Sequence, residues 1–404
     1  MTDSTGTTPS SAQLPNTHVS PGVLIAAVVL VALNLRAVLS SLPTVATQIQ
    51  ESTGWSDATL GILTTIPVMC MGVMALAVPS LIMHFGRKQL VVIALMTLAT
   101  AMLLRAIQSV PTLLFLSAFL AGVGIALIAG VIPGIVREQL PHQLGRATAL
   151  WTAAMMTSAA LGAALTVPIA GWLGSWSLAL AFWSIPAFIA LGFWMYAERA
   201  SPNHDRPKAL VNIRALPWRN KLAWALALNM TVNSIVFYSA VAWIAPSYVD
   251  RGYSEESAGW LFGLFASSQI VAALLLAGFS PRIKYRRTLF VFSFIATALA
   301  LITVGWFPSF SPWAVMFMFG FFISGSFAMT LGLLSEYSHD APSAARLTAM
   351  GFFITYTIGA LGPYFSGLLL DIFDSWQLVF SALAVIALSQ LLFVTPLRRG
   401  AHVE

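Results

Sequence analysis

The sequence predicts an all-α membrane protein, twelve transmembrane helices arranged as two six-helix pseudo-symmetric halves. Three observations carry that expectation. Hydrophobic residues make up 58% of the 404 and charged residues 8%, where a soluble domain carries about a quarter charged. Apolar runs of the roughly 20 residues that a spanning helix needs recur along the whole chain. Short motifs of the first half return in the second at a nearly constant offset.

Residues 1–20 are rich in Ser, Thr and Pro and hold no Lys or Arg. A cleaved leader needs a basic start, so they read as a disordered tail, with the first apolar run as the insertion signal. Twelve runs follow, at 22–47, 58–82, 89–108, 112–136, 147–170, 176–196, 222–247, 257–279, 289–307, 312–335, 347–370 and 376–396. Membrane β-strands would be about ten residues long and alternating; these runs are neither. The polar, basic, Pro-containing stretch 197–221 falls after six runs and before six. It reads as a linker between a 21–196 unit and a 222–397 unit, with 398–404 as a tail.

The repeat is visible in order. Trp55-Ser56-Asp57 with Gly61 returns as Tyr253-Ser254-Glu255 with Gly259, and Glu138 as Glu336. Arg146-Ala147-Thr148-Ala149 returns as Arg346-Leu347-Thr348-Ala349, Ala160-Leu161-Gly162 as Ala360-Leu361-Gly362, and Ser175-Trp176 as Ser375-Trp376. Both copies keep one orientation, so the repeat is parallel, about an axis along the membrane normal. Of the 20 Lys and Arg, Arg105 and Arg251 fall at one end and Arg36 within the membrane, leaving 17 at the other end. The positive-inside rule makes that basic end cytoplasmic, with both termini on it, in a bacterial inner membrane. It also accounts for the net charge of +6 without nucleic acid. Cys70 is the single cysteine, which excludes an internal disulfide and a cysteine metal cluster.

Charge then singles out Ala32-Leu33-Asn34-Leu35-Arg36-Ala37. Arg36 is the one charged residue near the centre of an apolar run, where a charge costs about 2.5–3.5 kcal/mol on insertion scales. No Asp or Glu lies at comparable depth in the sequence. The partner expected is therefore an anion that comes and goes. Steps of three and four place Ser40, Pro43 and Thr47 on the Arg36 face, a polar stripe suited to a cavity wall. Asn34 joins the candidate binding set, although at about 200° from Arg36 it turns toward a neighbouring helix. The plainer reading ties Arg36 to backbone carbonyls between helices.

Twelve runs, a six-plus-six parallel repeat and a basic central connection resemble the major facilitator superfamily over about residues 20–397. That family carries Gly-x-x-x-Asp-Arg-x-Gly-Arg-Arg between its second and third helices. Here the stretch is Pro79-Ser80-Leu81-Ile82-Met83-His84-Phe85-Gly86-Arg87-Lys88. Its Gly-Arg-Lys end is kept, but Met83-His84 replaces Asp-Arg, which removes the usual latch from this loop. Asn34-Leu35-Arg36, Gly122-Val123-Gly124-Ile125-Ala126 and Pro133 look like the cyanate permease and 2-nitroimidazole transporter group. The resemblance implies alternating access and a substrate that is a small monovalent anion or a small nitrogen heterocycle. It also implies a central cavity lined by the first, fourth, seventh and tenth helices.

In that frame Asn229 and Asn233, four apart on one face of the seventh helix, sit across from Arg36 and can donate to a solute without adding charge. Tyr356, Gln269, Ser324 and Ser326 lie at plausible depth. For all of these, hydrogen bonding between helices is the plainer alternative. Met69, Met71 and Met74 read as lipid or core contacts, and Gly122, Gly124 and Gly130 as close helix packing. Pro67, Pro168, Pro186 and Pro363 mark kinks. Glu138 with Arg146 and Glu336 with Arg346, together with Arg87, are the expected gate at the basic end; loop charge is the alternative.

No buried carboxylate pair, metal-spaced His cluster or phosphate loop is present, and Gly122-Val123-Gly124 lies too deep in a membrane run for a nucleotide loop. The expectation is not an enzyme but a monomeric carrier of a small anionic solute, without cofactor or metal, with the lipid bilayer as surroundings. An exporter of a neutral nitrogen heterocycle such as a nitroimidazole, and a sensor that binds without translocating, are the alternatives.

Overall fold

A computed structural model of the chain describes residues 20–198, 216–279, 286–338 and 341–394. The expected tails, most of the expected linker and eight of the basic-end cations (among them Arg199, Arg282 and Arg398) lie outside the described residues.

The described residues form helices and no strands. The first span is α1 (Pro21–Ala32), α2 (Ala37–Thr44) and α3 (Ala46–Thr53). It is followed by α4 (Asp57–Phe85), α5 (Arg87–Leu104), α6 (Leu113–Gln139) and α7 (Leu144–Leu173). The sixth span is α8 (Trp176–Phe182) with α9 (Ser184–Glu198). The second half runs through α10 (Lys221–Val249), α11 (Glu255–Phe279), α12 (Arg286–Trp306) and α13 (Pro312–Glu336). Its eleventh span is α14 (Ala341–Gly359) with α15 (Leu361–Phe373), and α16 (Trp376–Val394) ends it. Among the described residues eleven stretches are long and apolar enough to cross a membrane. The 25-residue α11 occupies the place of the remaining expected run.

Local chemistry sets the ends. Ser56 starts α4 by accepting from Thr59 N–H, and Asn220 starts α10 by accepting from Leu222 and Ala223 N–H. These caps satisfy amides that a helix start leaves free. Gly86, at φ +76°, makes the turn from α4 into α5, a conformation that side-chain-bearing residues rarely adopt.

The first run departs from expectation. It is not one helix but three pieces, and its main break covers Leu33–Arg36, the stretch that sequence charge singled out.

The packing differs at the two ends. Toward the basic end there are two separate cores. One is built from first-half residues such as Val28, Leu98, Ile128 and Trp194, the other from second-half residues such as Leu226, Phe294, Leu333 and Met350. At the opposite end a single core crosses the halves, with Leu42, Ile49 and Leu63 packed among Trp243, Tyr248, Phe262 and Phe380. The halves meet along α4 with α14 and α15, α7 with α11, and α2 with α10. The α4–α15 approach requires glycine: a Cβ on Gly367 would come within 2.5 Å of Asp57 O. Two backbone amides of α4 are also bonded across this seam. Asp371 of α15 accepts from Asp57 N–H at 2.8 Å and from Ala58 N–H at 2.9 Å. Gln48 of α3 bonds Glu255 of α11 at the same end. Trp172, Trp306 and Trp313 are exposed at this end, as tryptophans at a membrane interface are.

Candidate functional site

The site begins with the broken backbone. Asn34 and Leu35 N–H donate to Val31 and Ala32 carbonyls, three residues back instead of four. The shift deprives Leu30 O of its helical donor, and the Asn34 side chain replaces it. Its Nδ2 donates to Leu30 O at 2.7 Å and to Pro186 O of α9 at 3.3 Å. Where α2 starts, Ala37 N–H donates to Ser158 Oγ of α7 at 2.9 Å. A non-helical turn inside a membrane is tolerated where neighbouring elements satisfy its polar groups, and here α7 and α9 do so.

Arg36 stands at the second edge of this break, at φ −110° and ψ −25°. Its guanidinium is half-buried, and Nη1 donates to Tyr238 Oη of α10 at 3.3 Å. No carboxylate among the described residues pairs with it. It closes the inner end of a cavity of about 430 Å³. On α7 the lining runs from Thr148 to Met156, on α13 from Ile323 to Leu331, and on α6 from Ile125 to Pro133. These are the halves of those helices nearest the basic end, so the cavity extends from Arg36 toward that end. Beyond Arg36, on the other side, Phe237, Phe262 and Phe265 pack with ring centroids about 6 Å apart. Only a water-sized void remains among them.

The expected residues divide. Arg36, Asn233, Gln269, Tyr356 and Ser324 line the cavity, as does Met71, which sequence placed in lipid or core. Asn233 does so with its amide nitrogen already engaged, donating to Ile323 O at 3.0 Å and Ser326 Oγ at 2.8 Å. Asn34 holds the break instead of facing the cavity. Ser40 lies on the far side of Arg36 and donates to the Arg36 carbonyl at 3.1 Å. Asn229 is buried against α13 and α16: its Oδ1 accepts from Thr330 and its carbonyl from Gln390. The interhelical alternative therefore describes Asn34 and Asn229. The wall is also wider than the four helices implied by resemblance. Met71 comes from the second span, Trp151 from the fifth, Gln269 from the eighth and Phe352 from the eleventh.

At the basic end Glu138 pairs with Arg87 of α5, both among the expected gate residues, while Arg146 is exposed. Arg346 donates to Ser343 Oγ at 3.0 Å, and Glu336 is exposed near the end of α13.

Two residues were missed by sequence reasoning. Tyr238 follows Phe237 in an apolar helix and reads as core. Its signal was its place four positions after Ser234, next to the polar face of α10. Arg105 ends the third run and reads as a loop cation at the far end. It is instead buried, with Nε donating to Ser117 Oγ of α6 at 2.7 Å and Nη1 to Val38 O of α2 at 3.1 Å. Val38 lies two residues past Arg36, so Arg105 ties the second half of the broken helix to α5 and α6. The arrangement as a whole is a fixed cation at the end of an aromatic, one-sided cavity. It can bind a solute; it holds no nucleophile–base pair, and no group that could hold a metal ion exists among the described residues.

The chain is 29% identical over 364 residues to the cyanate transport protein CynX of Escherichia coli (strain K12), covering 89% of this chain and 94% of that protein. It is 28% identical over 377 residues to the 2-nitroimidazole transporter of the same organism, covering 92% and 94%. The solved structure of the nucleoside transporter NupG superposes with a TM-score of 0.75 at 14% identity, over 92% of this chain and 99% of that one. The family model of the Major Facilitator Superfamily matches residues 24–355 and, a second time, 226–403. With a family model matching nearly its whole length, the chain belongs to the major facilitator superfamily and is a multi-pass membrane transporter, not an enzyme.

Proposed function

We propose that this inner-membrane transporter carries a small anionic solute by alternating access, with Arg36 as the anion-binding group. The observation that carries the reading is the Arg36 guanidinium in the cavity, bonded to a neutral phenol and to no carboxylate. An ionisable residue within the membrane is costly unless function requires it. A guanidinium presents a planar fork suited to an oxyanion. The 29%-identical relative named for cyanate supports the choice of anion.

In this reading the units 21–196 and 222–397, joined by 197–221, rock about the site as a monomer. Gln269, Tyr356 and Asn233 orient the solute. With the basic end and both termini cytoplasmic, the arrangement described is the inward-open one. Arg87 with Glu138, and Glu336 with Arg346, act at the cytoplasmic gate when it closes. The aromatic wall favours a second reading, export of a neutral nitrogen heterocycle with Arg36 donating to a nitro or carbonyl oxygen, and the relative named for 2-nitroimidazole supports it.

The test is uptake by reconstituted protein. Arg36→Ala should lose about 3 kcal/mol of solute binding, a factor of about a hundred, while still inserting and eluting as a folded protein. Arg36→Lys should recover little, since an ammonium lacks the fork. Wild-type uptake of cyanate and of nitroimidazole by Arg36→Ala would end both readings.

A further inference from the structure

The shape of the cavity says more than its charge. A volume of about 430 Å³ lies in the range of sites for organic ligands. A triatomic anion would leave room for on the order of ten waters. Most of the wall area those waters would face is apolar. Trp151 and Met155 come from α7, Phe327 from α13, and Phe352 and Tyr356 from α14. Three of the cavity's rings form a connected surface that reaches the cation: Phe352 to Tyr356 is 5.5 Å between centroids, Tyr356 to Tyr238 is 6.3 Å, and Tyr238 bonds Arg36. Ring faces and edges of this kind accept another ring in offset or edge contact.

The charge count is equally selective. Arg36 is the one cation among the residues lining the cavity. The nearby Arg105 does not line it, and its guanidinium is engaged by Ser117 and by the Val38 carbonyl. A second carboxylate would enter without a partner, a costly arrangement at low dielectric.

We propose that the cavity is built for an amphipathic organic monoanion with a planar apolar body of about one aromatic ring, its carboxylate on Arg36 and its ring against Trp151, Phe352 and Tyr356. This rests on the reading of Arg36 as the anion site and narrows it from small anions in general. It places inorganic triatomic anions as weak ligands.

The experiment uses the purified full-length protein in detergent and four probes: benzoate, its neutral counterpart benzamide, the dianion phthalate, and cyanate. Binding is read by calorimetry, with thermal shift as a second measure. Benzoate should bind at least tenfold tighter than each of the other three. Arg36→Gln should erase the preference for benzoate over benzamide. Trp151→Leu and Phe352→Leu should lower the benzoate-to-cyanate affinity ratio at least fivefold. Each variant is checked by its elution profile, and two different wall positions guard against one that does not fold. Cyanate binding as tightly as benzoate, with both lost in Arg36→Gln, would overturn the proposal and leave the anion-carrier reading standing. Anion binding unchanged in Arg36→Gln would overturn both.

Discussion

Tyr238 is the side chain that Arg36 hydrogen-bonds. Its hydroxyl accepts from Arg36 Nη1 and both residues line the cavity, so under the proposed function it would compete with an incoming oxyanion for that donor. Removing it should favour the loaded state. Tyr238→Phe is expected to tighten solute binding by about 1 kcal/mol, roughly fivefold, and to slow release, so that KM and kcat fall together. A raised KM in proteoliposome uptake would show instead that the hydroxyl binds solute. Arg105 makes a different prediction. Arg105→Met leaves Val38 O and Ser117 Oγ without their donor, at about 1–3 kcal/mol for each buried group. It should lower the apparent melting temperature, and Arg105→Lys should restore it only in part. A melting curve unchanged in Arg105→Met would mean that these bonds contribute nothing. Sequence reading found Arg36 because a lone charge in an apolar run stands out. It passed over Arg105 because a cation at the end of a run looks like a loop residue. Only the packing of α2, α5 and α6 shows that the side chain turns inward.

At the scale of elements, hydropathy located every span and could not see the break in the first. No Gly or Pro marks Leu33–Arg36. The break depends on Ser158 and the Pro186 carbonyl, which lie more than a hundred residues away and satisfy the freed groups. The same limit hid the seam between α4 and α15. Asp371 reads as a carboxylate near a span end, yet it accepts two amides at the α4 N-terminus, where the helix dipole favours an anion. Its loss should weaken closure at that end. Two charge-assisted bonds at an exposed position contribute about 1–2 kcal/mol together, so Asp371→Ala should shift the conformational balance about five- to thirtyfold. A cysteine at Leu42, in the joined core, on a Cys70→Ser background should then react faster with maleimide added from the far side. Equal rates with and without Asp371 would show that the glycine-mediated packing alone closes the seam.

For the whole molecule, one core shared by both halves at one end and two separate cores at the other make the cavity one-sided. The repeat was legible in the sequence as paired motifs. Which end is sealed was not, because that follows from side-chain contacts between halves and differs between the states of a carrier. Among the described residues no Asp, Glu or His is buried, so nothing within the helices neutralises Arg36 and Arg105. This has an electrical consequence. A monovalent anion carried without a co-ion moves one charge per turnover, so flux is driven by voltage. At 100 mV, interior negative, that is about 2.3 kcal/mol per charge, directed outward for an anion. In proteoliposomes a potassium diffusion potential set with valinomycin should drive solute toward the positive side, up to a gradient of about fiftyfold, whereas a pH gradient imposed at zero potential should drive none. Accumulation with the pH gradient alone, lost in Glu336→Gln, would reassign that carboxylate as a proton carrier. For an anion carrier of the proposed kind the membrane potential would act as its rectifier, with the empty, positively charged site held facing the negative side.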